Sequence, residues 1–176
     1  MIPAAVGEGA GGAQGVNTIT IGIGEYAISA QSDSLLVTHA LGSCVAVCIW
    51  DPQARVAGLL HFLLPDASEH STRSVTQPGA FASTGIPLLF ETAYRSGLHK
   101  ARARVYLIGG AEMPHLGVAP RQIGKRNTLA ARRLLWANGV MIAREEVGGL
   151  VPRSVYLCSR TGRLRIKAGH QHIVIE

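Results

Sequence analysis

Cys44 and His61 are the two residues whose types and spacing best suit nucleophilic catalysis. They lie in two apolar runs, LGSCVAVCIW and RVAGLLHFLLP, which the turn-forming sequence Asp51-Pro52-Gln53-Ala54 joins. Asp and Pro at the first two turn positions favour a type I turn, so the two runs are predicted to form a β-hairpin. A loop centred between Pro52 and Gln53 would place Cys44 directly opposite His61, with Cβ atoms about 4.5–5.5 Å apart. That distance allows a thiolate–imidazolium contact, which activates a cysteine nucleophile.

The same two residues also fit a purely structural interpretation. A free cysteine is among the most buried residue types and packs as a small hydrophobe, and a core histidine needs only a hydrogen-bond partner. A one-residue slip or a bulge would move one of the two side chains to the opposite face of the hairpin. Spacing alone therefore favours a structural role for both residues. The choice between a structural and a catalytic role depends on residues outside the hairpin.

Composition indicates one domain in a reducing setting. The chain has 176 residues, 47% of them hydrophobic, which is enough for one core. Its three cysteines (Cys44, Cys48 and Cys158) follow no repeating spacing, which argues against a disulfide framework and a standard zinc site. The N-terminal segment lacks the pattern of a secretory signal, so a cytoplasmic location is expected. Residues 1–16, rich in Gly and Ala, are predicted to be disordered, and residues 17–176 to form the single domain.

Positive charge is concentrated beyond residue 40. The formal net charge is +6, yet residues 1–40 contain no Lys or Arg. A basic cluster comprises Arg121, Lys125, Arg126, Arg132 and Arg133. Such a surface can meet an acidic protein, or it can serve only to keep the domain soluble. No nucleic-acid partner is expected, because aromatic residues make up 5% of the chain and no recognition motif is present. The apolar run at 34–50 contains Ser, Thr and His, so it predicts a buried strand and no insertion into a membrane.

The hydrophobic pattern predicts many short strands and two main helices. The alternating sequence at 17–29 predicts one half-buried strand, and four more short strands are predicted after residue 139. One helix is predicted from about Gly79 to Arg95. A second is predicted to start at Asn127, acting as its N-cap, and to end at Ala137. This mixture favours an α+β fold over a parallel α/β sheet.

Motifs in a fixed order resemble the CheD family, bacterial and archaeal chemotaxis proteins that deamidate glutamines on chemoreceptors. The hairpin region carries Thr38, LGSC at 41–44 and GLLHFLLP at 58–65. The further matches are PLLF at 87–90, GGAEM at 109–113, IGKRN at 123–127, EEVGG at 145–149, Arg153, and RIK at 165–167. The resemblance covers roughly residues 18–168, and such ordered agreement is far more specific than an isolated Cys-His pair.

This resemblance implies a fold, an activity and a set of site residues. The implied fold is α+β, with mostly antiparallel β-sheet layers and two or three helices packed on one side. The implied activity is that of a protein-glutamine glutaminase, the chemoreceptor glutamine deamidase. Its catalytic Cys, His and supporting Thr fall on Cys44, His61 and Thr38. The backbone N–H of Cys44, together with that of Ser43, is a candidate oxyanion hole, and Gly42 would allow a close approach there. No metal or organic cofactor is expected.

The resemblance also implies partners. These are the methyl-accepting chemotaxis receptors as substrate and a CheC-type phosphatase as a regulatory partner. The alternative is a regulatory binding module that acts mainly through CheC or receptor binding; the intact Cys44, His61 and Thr38 set argues against it. A structural domain with a buried Cys and His is disfavoured by the same motifs. Lys125 and Arg126, which lie within IGKRN, are the candidate residues for receptor docking.

Overall fold

The computed structural model describes residues 16–30, 33–68, 71–112 and 122–176. Within these ranges the chain forms two five-stranded sheets and three α-helices, which confirms the predicted α+β class. The disorder predicted for the N-terminal segment falls on residues 1–15, which lie outside the described residues. No helix in the described ranges has the length and apolar character needed to cross a membrane.

The two sheets are mostly antiparallel. In spatial order, the first contains β1 (Asn17–Thr20), β3 (Ser34–Leu41), β8 (Arg153–Cys158), β9 (Leu164–Ala168) and β10 (Gln171–Ile175). The second contains β2 (Tyr26–Ala30), β5 (Val56–Phe62), β4 (Val45–Asp51), β6 (Arg104–Gly109) and β7 (Arg144–Val147). The pairs β1–β3 and β6–β7 are parallel, and the other paired strands are antiparallel. The helices are α1 (Ser71–Thr76), α2 (Ala82–Arg95) and α3 (Ile123–Ala137).

The fold has three layers, with the second sheet in the middle. Side chains alternate along β4, so that Ala46 and Cys48 face the first sheet while Val45 and Val47 face α2 and α3. Every residue of β4 and β5 is buried. Since both faces of these strands are covered, their sequences are continuously apolar instead of alternating with polar residues.

The chain crosses between the sheets at two corners that the hydrophobic pattern does not reveal. The single strand predicted at 17–29 is wrong, because β1 belongs to the first sheet and β2 to the second. Gly24 turns the chain there with φ of 80°. The apolar run at 34–50 is likewise divided into β3 and β4, and Ala40 has φ of 56° beside the irregularity that ends β3. Apolar residues lie on both sides of each corner, so the hydrophobic pattern alone did not separate the strands.

Helix starts differ from those predicted. The first long helix begins at Ala82 instead of Gly79, because residues 78–80 form a separate 3-10 turn. The second begins at Ile123, so Asn127 lies inside α3 and does not cap it. Gly139 follows the end of α3 with φ of 62°, which agrees with its predicted role as a C-terminal stop.

Candidate active site

The β4–β5 ladder differs in register from the predicted hairpin. Ala46, not Cys44, lies opposite His61, and Asp51 lies opposite Val56. The predicted direct opposition of Cys44 and His61 is therefore wrong by two residues. The cause is the loop, which consists of the four residues 52–55 and includes Arg55 in the left-handed conformation with φ of 52°.

The shift of two residues preserves the face on which the two side chains lie, because successive side chains alternate along a strand. Cys44 directly precedes β4 and packs in the apolar layer between the sheets. His61 points into the same layer, since its ring contacts Thr38 in β3 of the first sheet. Cys44 is thus a diagonal neighbour of His61, a relation that typically separates residues by about 7–8 Å.

Thr38 determines which nitrogen of His61 carries the proton. Its Oγ1 lies 2.7 Å from the Ile21 carbonyl oxygen and 2.8 Å from His61 Nδ1. A carbonyl can only accept, so the single hydroxyl proton of Thr38 is donated to Ile21, and Thr38 accepts a hydrogen bond from Nδ1–H. We therefore assign the Nδ1–H tautomer to His61. The predicted contact between Thr38 and the imidazole is confirmed.

The other ring nitrogen of His61 has a free lone pair. Nε2 is buried and makes no hydrogen bond to any residue that the structure describes. The backbone of His61 is held on both sides by the first corner: its N–H donates to the Glu25 carbonyl (3.0 Å), and its carbonyl accepts from Gly24 N–H (2.7 Å). An imidazole that is anchored through Nδ1 and fixed at its backbone, with Nε2 unengaged, has the arrangement of a general base.

Burial favours the neutral forms of both candidate groups. His61 is 1% exposed, and this burial lowers its pKa to about 4, although the nearby charge of Glu25 acts in the opposite direction. Cys44 is 6% exposed, and burial raises its pKa to about 11, against the lowering effect of its own backbone N–H. Burial therefore favours a thiol and a neutral imidazole, and the thiolate–imidazolium pair stays a prediction. A neutral imidazole can remove the thiol proton during nucleophilic attack.

Three consecutive backbone carbonyls at and before Cys44 are each held by a hydrogen bond. Gly42 accepts from Ala111 N–H (2.7 Å), Ser43 from Asn127 Nδ2 (2.9 Å), and Cys44 from Gly110 N–H (2.7 Å). The N–H of Gly42 is itself donated to the Ala40 carbonyl (2.8 Å). This amide is thus occupied, and the oxyanion role predicted for this segment rests on the N–H groups of Ser43 and Cys44.

Two glycines of the GGAEM segment make this close packing possible. Gly109 and Gly110 have φ of 113° and 62°, a region that favours glycine. A Cβ on Gly109 would lie 2.4 Å from the Cys44 carbonyl oxygen. Any side chain there would displace the backbone of Cys44.

Asn127 is a site residue that the sequence reasoning missed. Its side chain is fully buried, and Nδ2 donates both to the Ser43 carbonyl (2.9 Å) and to the Leu63 carbonyl (2.8 Å). The helical spacing contained a usable signal. Asn127 shares the inward stripe of α3 with Ala131 and Leu135, at intervals of four residues, and a polar side chain on such a stripe requires a partner.

The side chains of the basic cluster differ in whether they form an ion pair with a residue that the structure describes. Lys125 and Arg126 are exposed in the first turn of α3, whereas Arg132 forms an ion pair with Glu145. Arg121 lies outside the described residues. A cavity of about 470 Å³ is lined by residues that include Lys125 and Gly110. Since the Gly110 N–H also donates to the Cys44 carbonyl, this cavity brings Lys125 close to the candidate site.

Comparison with known proteins places this chain in a family. A family model described as CheD chemotactic sensory transduction matches residues 63–168. The chain is 40% identical over 150 residues to the probable chemoreceptor glutamine deamidase CheD 1 of Syntrophus aciditrophicus, which is 85% of this chain and 93% of that protein. It is 40% identical over 156 residues to the probable CheD 2 of Anaeromyxobacter dehalogenans, 89% of this chain and 98% of the relative. A Pyrococcus horikoshii protein named probable chemoreceptor glutamine deamidase CheD is 34% identical over 159 residues, 90% of this chain and 96% of the relative. The chain belongs to the CheD family.

Proposed function

We propose that this protein is a protein-glutamine glutaminase that converts specific glutamines of methyl-accepting chemoreceptors to glutamate. Cys44 is the nucleophile, and the reaction takes place on the cytoplasmic helical region of the receptor. The observation that carries the proposal is the state of His61, whose Nδ1–H is engaged by Thr38 while Nε2 keeps a free lone pair on the face of Cys44. The names of the relatives, which are probable chemoreceptor glutamine deamidases, support the substrate class.

The first half of the reaction forms a thioester. Cys44 Sγ attacks Cδ of the glutamine carboxamide, while His61 Nε2 takes the thiol proton. The negative charge moves to the carboxamide oxygen, where the backbone N–H of Cys44 and that of Ser43 are the candidate donors. When the C–O double bond re-forms, the C–N bond breaks, and the proton on Nε2 passes to the departing nitrogen, which leaves as ammonia.

The second half of the reaction regenerates the thiol. His61 Nε2 removes a proton from water as the water oxygen attacks the thioester carbon. Collapse of this intermediate breaks the C–S bond, the Nε2 proton returns to sulfur, and the side chain leaves as glutamate. Throughout the cycle, Thr38 keeps Nδ1–H engaged, so that Nε2 remains the nitrogen that exchanges protons.

The test uses three cysteine variants and a receptor fragment, with conversion of Gln to Glu followed by mass spectrometry. Cys44→Ala should abolish conversion and leave the circular dichroism spectrum unchanged. Cys48→Ala is the matched control, since Cys48 is a fully buried thiol on the same face of β4. It should keep most of the activity, as should Cys158→Ala. Undiminished conversion by Cys44→Ala would disprove the mechanism.

A regulatory binding function is the second candidate, and the burial of Cys44 and His61 is the observation that favours it, because a substrate glutamine must reach the thiol. In this case the fold acts through a CheC-type phosphatase or through the receptor. The Cys44→Ala variant separates the two functions. An enzyme loses its effect on the receptor when the thiol is removed, whereas a binding module keeps its effect on CheC activity and on receptor signalling.

A further inference from the structure

We propose that Asn127 is a positioning residue for deamidation, which orients the backbone N–H of Cys44 and holds together the strand ends that carry Cys44 and His61. This inference rests on the proposed function. Asn127 does not touch the reacting atoms directly; it acts through the backbone of Ser43 and Leu63.

The first argument is the place at which Asn127 binds the hairpin. The last pair of the β4–β5 ladder is Val45 with Phe62. The Ser43 and Leu63 carbonyls lie beyond this pair, one on each strand end, and the Asn127 amide donates one hydrogen bond to each. The side chain thus continues the connection between the two strands where the ladder stops. Cys44 lies inside the clamped segment of one strand, and His61 inside that of the other.

The second argument is the planarity of the peptide group. Ser43 C=O and Cys44 N–H belong to one peptide unit, and in a trans peptide they point in opposite directions. A hydrogen bond that fixes the direction of the Ser43 carbonyl therefore also fixes the direction of the Cys44 N–H. This N–H is a candidate oxyanion donor. Asn127 therefore fixes its direction by binding the carbonyl at the opposite edge of the same peptide unit.

The third argument is that packing of α3 does not require an amide at this position. Asn127 Oδ1 is buried and has no hydrogen-bond partner among the described residues, an arrangement that lowers stability. Ala131 and Leu135 continue the same inward stripe with apolar side chains. An apolar residue of similar size would pack on this stripe without an unpaired oxygen, so the two donated hydrogen bonds account for the asparagine.

The experiment compares two isosteric variants, Asn127→Leu and Asn127→Asp, with a matched control. Thr128→Val is the control, because Thr128 is also buried in α3 and loses a hydrogen bond, but one made within the helix to the Gly124 carbonyl. The measurements are kcat and KM for receptor deamidation from pH 5 to pH 9, together with the Tm of each variant.

We expect Asn127→Leu to lower kcat about 30-fold with KM changed less than about twofold, because geometry and not substrate binding is affected. Asn127→Asp should lower kcat by a similar factor at high pH and recover part of it at low pH, since a protonated carboxyl regains one donor. A purely structural role would not produce this pH dependence. Thr128→Val should keep kcat within about twofold of the wild type.

Three results would overturn the proposal. The first is a kcat within about twofold of wild type for both Asn127 variants. The second is a loss of kcat that matches that of Thr128→Val at equal Tm. The third is failure of both variants to fold while Thr128→Val folds, which would make Asn127 a folding residue only.

Failure of the proposed function is separable from failure of this inference. Cys44→Ala is assayed in parallel, and deamidation that does not depend on Cys44 would reject the proposed function by itself. In that case the positioning role of Asn127 is tested by the pH midpoint of Cys44 alkylation by iodoacetamide. The Cys44 N–H lowers the pKa of its own thiol, so a raised midpoint in Asn127→Leu supports positioning, and an unchanged midpoint rejects it.

Discussion

The β4–β5 hairpin has a buried ionisable group at each end, and the two ends differ in how completely their polar atoms are paired. At the loop end, Asp51 is fully buried and accepts hydrogen bonds from the N–H groups of Gln53, Ala54 and His99 and from two nitrogens of Arg102. Burial by itself would raise the pKa of Asp51, but these hydrogen bonds outweigh it and lower the pKa to about 2. This carboxylate is charged and saturated with donors.

At the other end of the hairpin, the buried polar side chains form hydrogen bonds through only some of their polar atoms. His61 Nε2 and Asn127 Oδ1 are both buried without a partner among the described residues. An unpaired buried polar atom costs about 1–3 kcal/mol. The comparison indicates that one end of the hairpin contributes stability, while the other gives up stability to keep a lone pair available for chemistry.

The largest effect that we predict is on stability, and it comes from a substitution of Asp51 at the loop end of the hairpin. Asp51→Asn should lower the free energy of unfolding by about 4 kcal/mol, because an NH2 group in place of Oδ2 cannot accept the hydrogen bonds from His99 N–H and Arg102, and a hydrogen bond to a charged group contributes about 1.5–3 kcal/mol. The deamidation rate per folded molecule should stay within about twofold of wild type, since the loop end lies away from Cys44. Urea unfolding and kcat on the same preparations provide the check. A large loss of kcat at unchanged stability would contradict the view that the loop end serves stability and the other end serves chemistry.

The second prediction uses acid to distinguish the two ends. The folded pKa of His61 is about 4 against an ordinary 6.5, so between these values the unfolded chain binds a proton that the folded chain does not. The free energy of unfolding should therefore fall as the pH is lowered from about 6.5 to 4, by up to about 3 kcal/mol. Stability due to Asp51 is lost only at lower pH, from 3.8 towards about 2, where the depressed carboxyl becomes protonated.

Urea unfolding at several pH values tests this separation with His61→Gln, which removes the titrating group. The variant should have a flatter stability profile between pH 6.5 and 4, while below pH 4 it should follow the wild type. Parallel profiles of the two proteins from pH 6.5 to 4 would show that His61 does not titrate as its burial requires.

The third prediction concerns the anchor of the imidazole. Thr38→Val removes the acceptor of Nδ1–H and should lower kcat about 30-fold, or about 2 kcal/mol, because the ring can then adopt the wrong tautomer or orientation. Thr38→Ser keeps a hydroxyl at this position and is the matched control, with kcat expected within about threefold of the wild type. Steady-state deamidation kinetics give both values. Equal rates for the Val and Ser variants would contradict the role of the hydroxyl.

The smallest predicted effect concerns encounter with the substrate. Charge reversal of Lys125 and Arg126 to Glu should lower kcat/KM about threefold at low salt and less at high salt, because exposed charges steer association and are screened by ions. Reversal of Arg163 and Arg165 on β9 and the turn before it provides a control of equal charge change in the first sheet. A salt series with both double variants is the measurement. Identical rates at every ionic strength would make the Lys125–Arg126 surface a solubilising one only.

Much of the architecture follows from local pattern. The hydrophobic pattern predicted the short strands after residue 139, two apolar runs joined by a turn predicted the hairpin, and Gly139 marked the end of α3. The family motifs named Cys44, His61 and Thr38, and the contact between Thr38 and His61 is present. These features are accessible from sequence because they depend on neighbouring residues or on motifs a few positions long.

Other features were decided only by the tertiary structure. The hairpin register depends on Arg55 adopting a left-handed conformation, which a non-glycine residue rarely does. The loop is therefore longer than the turn rules predicted from the sequence. Two of the corners between the sheets lie within runs that the hydrophobic pattern predicted as single strands. Asn127 matched the pattern of a helix cap, yet it binds carbonyls 84 and 64 positions away in the sequence.

The sequence by itself thus determined which side chains can perform the chemistry, because residue type and motif order are written along the chain. Only the tertiary structure decided their protonation states and their alignment. Burial between the two sheets raises the pKa of Cys44 and lowers that of His61, which favours the neutral form of both groups. The same packing brings Thr38 and Asn127 from different elements to the hairpin end, where they hold the imidazole and the backbone next to Cys44.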